Sequence, residues 1–219
     1  MLTIHHVVAG LTRESGGPSY AVPALCQAMA RSGEVGVFLY VPKHPNMGGL
    51  SDYGGGYDVR ECRILGPRTF RWAPSLRRHL RDGLQNGDSV IHVNGVWLYP
   101  HWAACREAAR NNIPLVISTR GMLMREPLHR ASLKKKIASR LWVHSNLELA
   151  TCLHATADAE AEHLRRLGCS NPIAVIPNVV TEIGIQAGDV RSDGAESAVA
   201  GTGRGKHIIL FVGRIHPIK

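Results

Sequence analysis

The chain has 219 residues, 44% of them apolar, which suits one well-packed domain plus a remnant and excludes both two full α/β domains and global disorder. Aromatic residues make up only 5%, which argues against a single-strand nucleic-acid binder that works by base stacking. The formal net charge of +9 favours anionic partners without choosing among them, and five cysteines with no C-x-x-C pair argue against a disulfide framework or zinc site and suit a reducing compartment.

The opening MLTIHHVVAG lacks a basic n-region and a long apolar core, so residues 2–9 read as a first strand and not as a signal peptide. No run approaches the roughly 18 apolar residues of a membrane span. A Gly-containing loop follows, then a helix over 19–31 with Val22, Leu25 and Met29 on one face and Gly33 as its stop. Residues 35–41 form a second strand, 42–57 a Gly- and Pro-rich loop, and 59–65 a weaker strand. Leu76, Leu80 and Leu84 mark a basic amphipathic helix.

A buried-type strand over 89–93 leads to Asn94-Gly95, then a helix over 101–111. Pro114 opens the strand LVIST, which ends at Arg120-Gly121. A long helical segment is predicted for 131–149, a short strand for 153–156, a helix for 159–167 and a strand for 173–176, closed by Pro177-Asn178. Strands alternating with helices imply an α/β fold, a Rossmann-like doubly wound parallel sheet covered on both faces. Small and polar residues then dominate 184–205 without apolar period, and HIILFVGR resumes as a strong strand. The expected organisation is a domain at 1–183, a flexible linker at 184–206, and the first strand of another domain at 207–219.

In open parallel sheets, ligands bind beyond the carboxyl ends of the strands. Those junctions carry Ser15-Gly16-Gly17, Asn94-Gly95-Val96-Trp97, Thr119-Arg120-Gly121, Thr156 with Glu160 a turn later, and Gly213-Arg214 followed by Lys219. Gly16 and Gly17 before a helix suit the approach of an anion or an ordinary βα turn; neither G-x-G-x-x-G nor a Walker sequence is present. His92, within VIHVNG, is either an inward core histidine or a hydrogen-bonding group for a sugar or an active-site loop. Asn94 falls past the strand end, where it serves a site or a left-handed turn. Arg120 can present a fixed cation to a phosphate or carboxylate, or be a surface arginine paired with Glu126. Lys134, Lys135 and Lys136 form a solvated face or a contact for an anionic membrane surface. There is no H-E-x-x-H, no G-x-S-x-G and no evident carboxylate pair for hydrolysis.

The ordered set SGGPSYAVPAL, VIHVNGVW, IPLVISTRGML, the Lys-rich segment, LHATADAEAEHLRRLG, IAVIPNVV and LFVGRIHPIK resembles the family-4 retaining glycosyltransferases of GT-B fold, especially those of bacterial exopolysaccharide and lipopolysaccharide assembly. The resemblance implies that Gly16 and Gly17 approach the donor diphosphate and that Asn94, Gly95 and Trp97 form an acceptor-side loop. Arg120 falls where the family often carries a histidine near the transferred sugar. Asn178 matches the I-P-N-G motif, with Val179 in place of the glycine. Arg214 and Lys219 match a basic pair that holds the donor diphosphate. A nucleotide-sugar donor, a glycan or lipid-linked acceptor, no metal or other cofactor, no nucleic acid, and a cytoplasmic location peripheral to the inner face of the membrane follow as expectations. The family's acidic E-x7-E motif falls beyond Lys219, so the chain is expected to be the acceptor-side half of an enzyme and inactive alone. A non-catalytic carbohydrate- or anion-binding module and a fragment of a GT-B-type sugar-nucleotide epimerase are the alternatives.

Overall fold

A computed structural model describes residues 1–12, 16–44, 55–66, 69–84, 87–124 and 142–178, all within one compact unit, Met1–Val180. The expected linker, the strand over 207–219 and most of the long helical segment lie outside the described residues.

Seven strands form one sheet: β1 (Thr3–Val8), β2 (Gly36–Lys43), β3 (Asp58–Arg63), β4 (Ser89–Asn94), β5 (Leu115–Ser118), β6 (Cys152–Ala155) and β7 (Ile173–Val175). Their order is β3-β2-β1-β4-β5-β6-β7, and every neighbouring pair is parallel. The helices are α1 (Pro18–Ser32), α2 (Ser75–Leu84), α3 (Tyr99–Arg110), α4 (His144–Glu148) and α5 (Asp158–Arg166). This is the doubly wound α/β fold expected from the alternation of strands and helices.

The two sheet faces are covered differently. Val7, Tyr40, Ile91, Val93, Leu115, Ile117 and Leu153 pack against Leu76 and Leu80 of α2 and Ala103, Ala104 and Ala108 of α3. The small α3 residues allow that helix to approach the sheet closely. On the opposite face Val8, Val37, Leu39 and Val41 meet Val22 and Cys26 of α1. Pro18 starts α1, where its missing N–H costs no helical bond, and Gly33 ends it at φ 71, with its N–H on the Ala30 carbonyl at 3.2 Å. α3 begins two residues earlier than predicted because Pro100 is accommodated in its first turn. Among the described residues no helix is long and apolar enough to cross a membrane.

β1 leads out towards β2 on one side, and β4 leads out towards β5 on the other. The direction of winding reverses between them, which opens a crevice at the carboxyl ends of β1 and β4.

Candidate functional site

Gly16 and Gly17 follow β1, Asn94 ends β4, Arg120 and Gly121 follow β5, Glu160 lies in the first turn after β6, and Asn178 follows β7. Parallel pairing therefore brings the residues singled out from the sequence onto one rim. Arg214, Lys219 and the Lys134–136 run lie outside the described residues, as do Ser15, Glu126 and Val179.

The centre of the rim is Arg120. Its Nε and Nη2 donate to Asn94 Oδ1 at 3.2 and 2.8 Å, and its Nη1 donates to Asn178 Oδ1 at 2.6 Å. A guanidinium has five N–H donors, so two have no partner among the described residues. Both partners are neutral amides, and no described carboxylate forms an ion pair with this cation. Burial pushes the Arg120 pKa down, and the nearby Glu160 carboxylate and Cys26 oppose it.

Asn94 is not past the strand end, as the sequence suggested, but is the last residue of β4, and it is buried. Its Nδ2 donates to the Val7 carbonyl at 3.4 Å and to the His92 carbonyl at 3.2 Å, which fixes its Oδ1 towards Arg120. The left-handed backbone expected as one option for Asn94 occurs at Arg120 instead, with φ 48, and continues into Gly121 at φ 70. For a residue with a Cβ this conformation costs about 1–2 kcal/mol, so the surroundings must hold it.

Glu160 does so. Its buried carboxylate accepts from the Thr119 hydroxyl and, at 2.5 Å, from the Gly121 N–H. Its other oxygen accepts from the Thr156 N–H at 2.7 Å and the Thr156 hydroxyl at 2.8 Å. Burial pushes its pKa up, but the bonds from Thr119, Thr156 and Gly121 outweigh burial and hold it below the ordinary value.

His92 lies two residues below Asn94 on the same sheet face. Its Nε2 has no hydrogen-bond partner among the described residues, and its ring leans on His6 and His154, with centroids 4.9 and 5.5 Å away. Burial is the main cause of a pKa well below the ordinary histidine value, so the ring is neutral. Among the described residues its ring makes no bond to a rim loop.

Gly95 could not be another residue. It has φ 123, and a Cβ there would come 2.5 Å from the His101 ring. His101 Nδ1 accepts from the Leu98 N–H at 3.3 Å, so the ring braces the loop that carries the half-buried Trp97. Gly16 takes φ 71. A Cβ added at Gly17 would meet none of the described residues within 4 Å. Among the described residues no cluster of three His, Cys, Asp or Glu side chains could hold a metal ion.

Sequence reasoning missed Arg71. Its Nη1 donates to the Ala9 carbonyl at 2.6 Å and occupies the space of a Gly10 Cβ, 1.9 Å away. Only Gly10 at a strand end was a local signal; the partner is 61 residues distant. Glu160 was singled out by position, but its two-loop contact had no sequence signature.

Residues 16–179 match the model of the glycosyl transferase 4-like domain, and the chain belongs to that family. No curated protein sequence matches it. Among solved structures it is similar to the Staphylococcus aureus MnaA–UDP complex, with 16% identity and a TM-score of 0.51 over 81% of this chain and 44% of that one. A putative UDP-N-acetylglucosamine 2-epimerase from Listeria monocytogenes gives 15% and 0.54 over 79% and 44%. Another UDP-N-acetylglucosamine 2-epimerase gives 14% and 0.53 over 81% and 48%. These likenesses are of fold, and the chain spans less than half the length of each.

Proposed function

We propose that the chain is the acceptor-side half of a retaining GT-B glycosyltransferase. It works with a nucleotide-sugar donor and a glycan or lipid-linked acceptor of bacterial surface polysaccharide, in the cytoplasm and peripheral to the membrane through Lys134, Lys135 and Lys136. The observation that carries this reading is the Arg120 guanidinium, held at the crevice between β1 and β4 by two neutral amides, with two of its donors unpartnered among the described residues. Departure of a nucleoside diphosphate builds negative charge on phosphate oxygens. A pre-oriented guanidinium stabilises that charge without reorganisation at the moment of transfer. No described residue crowds Gly17, so a phosphate can approach the start of α1. In this reading Asn94, Gly95 and Trp97 face the acceptor, and Arg214 and Lys219 hold the donor diphosphate from a donor-side domain that opens at 207–219.

The test is an assay of the chain alone and fused to a donor-side GT-B domain, with nucleotide sugars and lipid-linked or glycan acceptors. The fusion is expected to release nucleoside diphosphate only when acceptor is present and to retain the anomeric configuration; the chain alone is expected to be inactive. In the fusion, Arg120→Ala should lower turnover about 10²- to 10³-fold, as loss of a transition-state donor does. Interconversion of the nucleotide sugar without transfer would place the chain with epimerases. Robust transfer by the chain alone would overturn the half-enzyme reading.

A further inference from the structure

Glu160 stands at the third position of α5, where an acidic side chain commonly caps a helix and meets the positive end of its dipole. One carboxylate oxygen turns back past the N-cap Ala157 and takes both donors of Thr156, the residue before it. The other oxygen has no partner near its own helix among the described residues. That oxygen crosses to the neighbouring loop and binds Thr119 and Gly121, the two residues that flank Arg120. The carboxylate forms no ion pair with a described cation, so its charge is satisfied by hydroxyls and backbone N–H groups. Arg120 is thus gripped on both sides at the point where its backbone is left-handed. A strained conformation of this kind persists only when its surroundings over-determine it.

We propose that Glu160 is a positioning residue: by tying the Thr119–Gly121 turn to the start of α5, it aims the Arg120 guanidinium at a phosphate in the crevice. The phosphate part rests on the reading of Arg120 given above. Glu160 itself touches no substrate. Its removal acts through the direction of the guanidinium, because a turn freed at Thr119 and Gly121 relaxes Arg120 towards right-handed backbone and away from Asn94 and Asn178.

The experiment follows the Arg120 Nε–H resonance of the isotopically labelled chain, with a urea unfolding curve for each variant and a titration with inorganic pyrophosphate. Glu160→Gln keeps the shape but sets an amide N–H₂ against one pair of donors. Thr119→Val removes one hydroxyl only, and Thr119→Ser retains it. Glu162→Gln, on the same helix but exposed and paired with Arg166 at 2.9 Å, is the control. In the wild type and in Thr119→Ser and Glu162→Gln, the Arg120 signal should be resolved and should shift with pyrophosphate. In Glu160→Gln and Thr119→Val it should collapse towards that of exposed arginines, and pyrophosphate affinity should fall about tenfold or more, the scale of one charge-assisted hydrogen bond. An unchanged Arg120 signal in folded Glu160→Gln overturns the proposal. If that variant does not fold, an unchanged signal and affinity in folded Thr119→Val overturn it. A Glu160-dependent signal that ignores pyrophosphate supports the positioning role and removes instead the assignment of Arg120 as a phosphate contact.

Discussion

His5 and His6 are neighbours on β1, yet they face opposite sides of the sheet and are treated in opposite ways. The His5 ring lies 3.0 Å from the Tyr40 hydroxyl and 3.4 Å from Ser89 Oγ, and it stacks on Phe38 at 5.2 Å. Neither ring nitrogen of His6 has a partner among the described residues, and neither does His92 Nε2 or Ser118 Oγ. On the face under α2 and α3 the polar strand side chains His5, Tyr40 and Ser89 are paired, and Ser75 Oγ and His101 Nε2, unpartnered among the described residues, belong to the covering helices. The face that carries His6, His92, Asn94 and Ser118 is a buried polar surface that leads up to Arg120. Polar side chains persist unpaired in a core only against a cost of about 1–3 kcal/mol each. On the second face the unpartnered atoms sit on the strands themselves, beside the residues that hold Arg120.

Acid should break both faces together, and this is the largest effect. Burial pushes the pKa of His5 down to about 4, and those of His6 and His101 to about 3. A histidine whose pKa is lower folded than unfolded contributes its full stability above the unfolded value. It loses that contribution as pH falls from there towards the folded value, because the unfolded chain binds the extra proton. Each such ring removes about 1.4 kcal/mol per pH unit across that window. Urea midpoints should therefore fall steeply from pH 6.5 towards 4. Glu160 adds to this only at lower pH, since its depressed pKa keeps it ionised longer. A flat profile above pH 5 would contradict the burial of these rings.

Single replacements on β1 sharpen the comparison. His5→Leu should cost about 1–3 kcal/mol, because it strips a partner from Tyr40 and Ser89. His6→Leu, one residue along, should be neutral or stabilising by urea unfolding, because it removes unpaired polar atoms and leaves none behind. Similar losses at both positions would mean that His6 has partners of its own.

The smallest effect is chemical. Burial pushes the thiols of Cys26, Cys62 and Cys105 up to about 12 and raises that of Cys169. Cys152, on the polar face of β6, is half-buried. Of the five thiols, Cys152 should react first with a disulfide reagent in the folded chain, and mass mapping of the labelled peptide checks this. Rapid labelling of Cys62 or Cys105 would show that the apolar face is less closed than its packing implies.

Strand and helix boundaries were readable because local periodicity and breakers report them directly. Leu76 and Leu80 are four apart and both buried, and Gly33 stops α1 where expected. The rim was readable too, because once strands are parallel their carboxyl ends must share an edge, whatever their separation in sequence. Within the rim, partner choice was not readable. Arg120 had Glu126, which lies outside the described residues, as the nearest plausible partner in sequence; the fold supplies Asn94 and Asn178, 26 and 58 residues away, which no local pattern announced.

Sequence alone thus determined the alternation of elements, the parallel sheet and the junctions that share one edge of it, since these depend on apolar period and on glycine and proline at strand and helix ends. Tertiary structure alone decided three things. The left-handed turn went to Arg120 and not to Asn94. Glu160 came to grip a loop about 40 residues away as well as Thr156 before its own helix. One of two adjacent histidines was partnered and the other has no hydrogen-bond partner among the described residues. Each depends on which side chains a seven-stranded register sets side by side, and no local pattern encodes distances across strands.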